Sequence, residues 1–154
     1  MHTHTAHILF LVIGLLRMTI APQNGDPMAV TTAPDQVTLY ETAYDAGVIG
    51  LLAHNYLAGE AFYQLDPGDR LYLNHTAYQV RQVIQYQTLN PYEFMDLETG
   101  RVLTGEEAIR AIYLDQADGT LVLQTGLEKC GDPDWGLTFW IAEAIRRSPS
   151  QIPQ

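Results

Sequence analysis

Basic residues are scarce in this chain, cysteine is almost absent, and no apolar run is long enough to span a bilayer. Eight Lys and Arg stand against eighteen Asp and Glu, for a net charge of -10. Nucleic-acid binding needs clustered positive charge, so that class is excluded. A polybasic contact with anionic lipid is excluded on the same ground, which leaves the N-terminal segment as the one expected link to a membrane. The single cysteine, Cys130, rules out an internal disulfide framework and any multi-cysteine zinc site. His2, His4 and His7 alternate near the start but lack a fourth ligand, so no metal is expected, and no cofactor. Repeats, low-complexity tracts and charge blocks are missing as well.

What remains is an ordinary globular composition. At 154 residues and 47% hydrophobic, the chain is long enough for one core and describes one folded domain. Its acidity reads first as a solvated surface.

The run Ile8-Leu9-Phe10-Leu11-Val12-Ile13-Gly14-Leu15-Leu16, followed by Arg17, is too short to cross a bilayer, which takes roughly twenty residues. Residues 1–21 are expected to be a signal peptide or short anchor ending near Ala21-Pro22. Their leading part holds no Lys or Arg, so two alternatives stay open: a true start at Met18 or Met28, or a helix packed on the domain. Residues 22–34 have the Pro, Gly, Asp and Thr content of a linker. The folded domain is expected over 35–146, with 147–154 a disordered tail.

Within the domain, Val37 to Tyr40 reads as a first strand. Gly47 to His54 reads as a strand buried on both faces, its glycines marking a bend or close backbone approach. A loop with one helical turn follows, then the turn Asp66-Pro67-Gly68-Asp69. Strands are expected from Arg70 to Asn74 and from Ala77 to Leu89. In the second of these, Tyr78, Val80, Gln82 and Ile84 would share one side, with Gln79, Arg81, Val83 and Gln85 on the other. Residues 92–103 read as irregular. Glu106 to Tyr113 reads as a helix capped by Thr104, with Ala108, Ile109, Ile112 and Tyr113 on one stripe. Many strands, few helices and regular turns predict an all-β, closed or nearly closed barrel with one or two short helices.

Everything else is arranged around Thr120-Leu121-Val122-Leu123-Gln124-Thr125-Gly126, a short β-branched run that begins after the turn Ala117-Asp118-Gly119. With Leu51-Leu52-Ala53-His54-Asn55 before it and Trp135-Gly136-Leu137-Thr138-Phe139-Trp140-Ile141-Ala142-Glu143 after it, this run resembles the sortase family of cysteine transpeptidases. Phe62, Leu65 and Gly68-Asp69, then Val80 to Leu89, extend the resemblance over about Val37 to Ile145. It implies a sortase-type β-barrel outside the cytoplasmic membrane at the bacterial cell surface, acting on a peptide or protein sorting signal of the LPxTG kind.

The resemblance also implies a set of roles. In the family a thiol attacks the Thr-Gly carbonyl, a histidine handles protons, and an arginine donates to the developing oxyanion. His54 stands at the histidine position. Gly126 stands where the thiol belongs, and Leu137 stands where the W-G-R pattern has its arginine. The expectation is a sortase-like domain that lacks transpeptidase activity and is retained as an exported peptide-binding or structural module. The alternative is an active transpeptidase or hydrolase that pairs His54 with Cys130. An extended chain would carry Cys130 up to ~14 Å from Gly126. Thr125 offers a hydroxyl, but strand alternation turns it from the face that residue 126 uses. Arg81, Arg101 and Arg110 could replace the missing cation only by an accident of folding.

Overall fold

In the computed structural model, residues 10–146 are described. They form ten strands: β1 (Phe10–Ile13), β2 (Leu16–Ala21), β3 (Gln36–Tyr40), β4 (Ile49–Leu52), β5 (Arg70–Leu73), β6 (Thr76–Asn90), β7 (Glu93–Asp96), β8 (Val102–Thr104), β9 (Leu121–Lys129) and β10 (Asp132–Ala144). Neighbours run β10-β9-β4-β3-β2-β1-β5-β6, and β6 pairs back onto β10, so eight strands close into a barrel. The hairpin β7–β8 hangs off the far end of β6. Closure of this kind leaves no free edge within the ring. The all-β expectation is met.

Alternation along each strand sorts the side chains between two apolar clusters. Leu11, Leu51, Leu71, Leu121, Leu123 and Trp140 fill the barrel interior. Val122, Phe139, Ile141 and Tyr86 point outward, where Ala43, Val48, Ala108, Ile112 and Tyr113 cover them. The cover comes from α1 (Glu41–Asp45), α2 (Gly105–Ile109) and the wider π turn Arg110–Leu114 that continues α2. Thr104 starts α2 with a reciprocal cap: its Oγ1 accepts from the Glu107 N–H (3.2 Å), and the Glu107 carboxylate accepts from the Thr104 N–H (3.3 Å). The π turn shifts the expected stripe. Ile112 and Tyr113 are buried, whereas Ile109 is exposed.

The structure differs from the sequence reading in four stretches. The apolar run read as a leader is, from Phe10 onward, the β1–β2 hairpin, with Leu11, Ile13 and Met18 buried in the barrel. Gly14 makes its turn at φ +57°. Residues 1–9, with the three leading histidines, and the tail 147–154 lie outside the described residues. Second, the expected linker 22–34 is a packed loop. The buried Gln23 side chain donates to the Pro27 and Ala29 carbonyls (both 3.2 Å) and accepts from the Glu41 N–H (2.9 Å).

Third, β6 changes phase. The β10 register skips from Gln82 to Val80, a bulge at Arg81. Tyr78 and Val80 therefore face inward with Val83, while Ile84 and Tyr86 face outward. Fourth, residues 93–104, read as irregular, are a short hairpin, and β9 runs past Gly126 to Lys129. By contrast, the glycines of the His54 segment act as their positions suggest. Gly47 turns at φ +87°, and a Cβ on Gly50 would lie 3.0 Å from the Tyr113 ring.

Candidate functional site

The site grows from the alternation of three neighbouring strands. On β9, Leu123 and Thr125 are buried inward, so Gln124 and Gly126 face out. On β10, Thr138 and Trp140 are buried inward, so Leu137 and Phe139 face out. Gly126 is the direct cross-strand partner of Leu137, and Leu137 is in turn the partner of Tyr86 on β6. On the other side, β4 runs parallel to β9 with Leu52 opposite Gln124. The chain continues through Ala53, whose N–H donates to the Gln124 carbonyl (3.2 Å), and so delivers His54 beside Gly126.

Two cavities meet on this outer face. The apolar one, about 400 Å³, is walled by Met28, Tyr40, Phe94, Ile112, Tyr113 and Phe139 among others. The polar one, about 320 Å³, is lined by His54, Asn55, Tyr56, Thr125, Gly126, Pro133 and Asp134. Val30, Leu52, Gln124 and Leu137 line both, which makes one groove of the pair. Among the described residues, no Lys or Arg lines either cavity. Arg81 is engaged by Gln116 and Glu143, Arg101 by Glu107, and Arg110 by Glu106, and none of the three lines the groove.

His54, Gly126 and Leu137 therefore line one cavity. The His54 ring stacks on Tyr56 at 5.1 Å between centroids. Cys130 is not brought to them. It occupies the exposed tip of the β9–β10 hairpin at φ +54°, followed by Gly131 at φ +77°, the tight two-residue turn that joins antiparallel strands. Thr125 is not a free hydroxyl either, since its buried Oγ1 donates to the Ala53 carbonyl (2.7 Å) and pins the start of the histidine loop. Space there is tight: a Cβ on Gly59 would run into Thr125 Oγ1 and lie 2.7 Å from the His54 carbonyl.

Several residues that hold the site were not singled out from the sequence. Tyr63 donates its hydroxyl to the Gly126 carbonyl (2.6 Å) and also meets Thr138 Oγ1 (2.9 Å), which Gln85 Nε2 reaches as a donor (3.3 Å). With the tyrosine proton committed to Gly126, the threonine must donate to Tyr63, and the three side chains form one directed chain. Burial raises the Tyr63 pKa above the ordinary tyrosine value, and the Thr138 hydrogen bond offsets part of that rise. Tyr113 donates to Gln124 Oε1 under the groove floor. Asn55 donates to the Pro133 carbonyl (3.0 Å), across a β10 irregularity between Asp132 and Gly136. Adjacency to His54 was the one signal for Asn55, and the Asp132-Pro133-Asp134 run was the signal for the bulge. Among the described residues, no cluster of His, Cys, Asp or Glu could hold a metal ion, and no helix is long and apolar enough to cross a membrane.

No protein-family model and no curated protein matches this sequence. Solved structures do. Streptococcus pneumoniae sortase C superposes with a TM-score of 0.61 at 14% identity, over 91% of this chain and 68% of that one. The chain has the sortase fold. Sortase C-1 of Actinomyces oris gives a TM-score of 0.60 at 12% identity, covering 90% of this chain and 71% of that one. Listeria monocytogenes sortase A gives 0.56 at 11% identity, covering 90% and 87%. Within this sortase fold, the outer face of β4, β9 and β10 carries His54, Gly126 without a side chain and an aliphatic wall at Leu137.

Proposed function

We propose that this chain is a sortase-fold domain without transpeptidase activity, acting outside the cytoplasmic membrane as a peptide-binding or structural module. One observation carries the reading: Gly126 and Leu137 face each other across two strands beside His54. The position a thiol would need has no side chain, and the position a cation would need is apolar. Removing the nucleophile of a covalent mechanism costs roughly a million-fold in turnover. Removing an oxyanion donor costs about a hundred- to a thousand-fold, and the two losses do not simply add. The first alone ends acyl transfer.

The groove itself survives, and its two cavities suit an extended segment with an apolar side chain at one end. The described substrate of the pneumococcal sortase C is a pilin, which supports a peptide or protein sorting signal as the partner class here. Placement at the bacterial cell surface rests on the family resemblance. The enzymatic alternative has no geometric support, because Cys130 lies at a hairpin tip and does not line the groove.

The test is incubation of the purified chain with a fluorescein-labelled Leu-Pro-Ala-Thr-Gly peptide, following cleavage by chromatography and binding by anisotropy. Saturable binding with no cleavage above the blank is the expected result, together with Cys130 labelling by a thiol probe that His54→Ala leaves unchanged. Cleavage that disappears in Cys130→Ala or His54→Ala would overturn the reading.

A further inference from the structure

The space above Gly126 is not empty. A Cβ built there would lie 2.9 Å from Asn55 Nδ2, 3.3 Å from Asn55 Cγ and 2.9 Å from the Pro133 carbonyl oxygen. Carbon does not approach nitrogen or oxygen that closely without something moving, so the Asn55–Pro133 pair occupies ground that only glycine leaves open. The bulge in β10 explains the arrangement. Between the paired ends, one residue of β9 (Glu128) opposes three of β10 (Pro133, Asp134 and Trp135), and the surplus swings the Pro133 carbonyl over Gly126. Pro133 offers an acceptor and nothing else, which fixes the orientation of the Asn55 amide with Nδ2 toward it.

A carboxamide has two N–H donors and one oxygen acceptor. Pro133 uses one donor, and among the described residues the Asn55 side chain has no other hydrogen-bond partner. One N–H and Oδ1 are left on a side chain that lines the polar cavity next to His54 and Gly126. A donor and an acceptor side by side match the C=O and N–H of a peptide group. Leu137 offers no hydrogen bond, and Thr125 is already committed to Ala53.

We propose that Asn55, clasped to Pro133 in the space above Gly126, is the residue that hydrogen-bonds the backbone of a peptide ligand at the polar end of the groove. The proposal rests on the peptide-binding reading above. It converts the site of a covalent step into a site of non-covalent backbone recognition, with Gly126 as the condition that makes room.

The experiment compares the labelled Leu-Pro-Ala-Thr-Gly peptide with its depsipeptide, in which an ester replaces the Thr-Gly amide and removes that N–H. The wild-type chain should bind the amide about three- to tenfold more tightly than the ester, the usual size of one hydrogen bond's contribution. In Asn55→Ala that preference should vanish. Gly126→Ala keeps Asn55 but pushes it off Pro133, and it should lose the preference too, so a fold defect in one variant does not decide the matter. A wild type that binds neither probe overturns the peptide-binding reading and this proposal together. A wild type that binds both while Asn55→Ala and Gly126→Ala retain its amide preference overturns the proposal alone. Equal affinity of the wild type for amide and ester overturns it as well.

Discussion

The inner and outer faces of β9 and β10 carry different kinds of residue, although they are the same strands read one residue apart. Inward, Leu121, Leu123, Thr138 and Trp140 are fully or nearly fully buried in the barrel. Outward, Gly126 and Leu137 stand where the resemblance calls for a thiol and a guanidinium. A pleated strand puts fold stability on one side and chemistry on the other, so residues can change on the second without touching the first. That separation lets a barrel keep a sortase fold at identities near one residue in nine to one in six, as with sortases of Listeria and Streptococcus agalactiae (11% and 17%).

The comparison is sharpened most by restoring the outer face. Gly126→Cys with Leu137→Arg should produce cleavage of the Leu-Pro-Ala-Thr-Gly peptide above that of the wild type, recovering part of the roughly million-fold that a nucleophile is worth. The double variant should be slow, because the new Cβ meets Asn55 and the Pro133 carbonyl at 2.9 Å. Adding Asn55→Ala should raise the cleavage rate severalfold by giving the thiol room. A triple variant that is folded and binds the peptide yet shows no burst of acyl-enzyme would mean that the family's positions do not map onto this groove.

How much of this was legible beforehand follows from the same alternation. The run from Thr120 to Thr125 reads as a buried strand because β-branched and aliphatic residues follow a turn, and His54, Gly126 and Leu137 could be matched because strand order places them. Three features were hidden. The β1–β2 hairpin was masked by composition, since nine apolar residues in a row carry no period to separate a strand pair from a leader segment. The phase change at Arg81 was masked because a bulge inserts one residue without any residue type of its own. The Tyr63–Gly126 and Asn55–Pro133 hydrogen bonds join positions 63 and 78 residues apart and leave no local trace. The sequence matched positions 54, 126 and 137 to the family pattern; the fold shows Asn55 and the Pro133 carbonyl over Gly126.

A second test sets one residue from each face against the other. Trp140 is 1% exposed, stands edge-on to Phe62 and Tyr63 at 5.8 and 5.0 Å, and donates its indole N–H to the Leu65 carbonyl (3.0 Å). Trp140→Ala should cost about 3–5 kcal/mol in a urea titration. Leu137, three residues away and only half-buried, should cost about 1 kcal/mol as Leu137→Ala. Comparable losses from the two would break the claim that the outer face is free to vary.

The smallest effect tests where the two faces touch. Tyr113 is buried between α1 and the sheet, edge-on to Tyr40 and Phe139, and its hydroxyl donates to Gln124 Oε1 beneath the groove. Burial, with a smaller contribution from Tyr40, holds its pKa well above the ordinary tyrosine value of 10.0. A raised value means that the native chain keeps its proton where the unfolded chain has lost it. The contribution to stability is therefore fully present below pH 10.0 and falls as pH rises above it. Tyr113→Phe removes the ionisation along with the hydrogen bond. At neutral pH it should cost about 1 kcal/mol, with Gln124 left short of a donor. Above pH 10.0 the wild type should lose stability faster than the variant, so melting temperatures plotted against pH converge. Parallel curves across that range would show that this hydroxyl does not couple the groove floor to the fold, and that the outer face varies even more freely than its burial suggests.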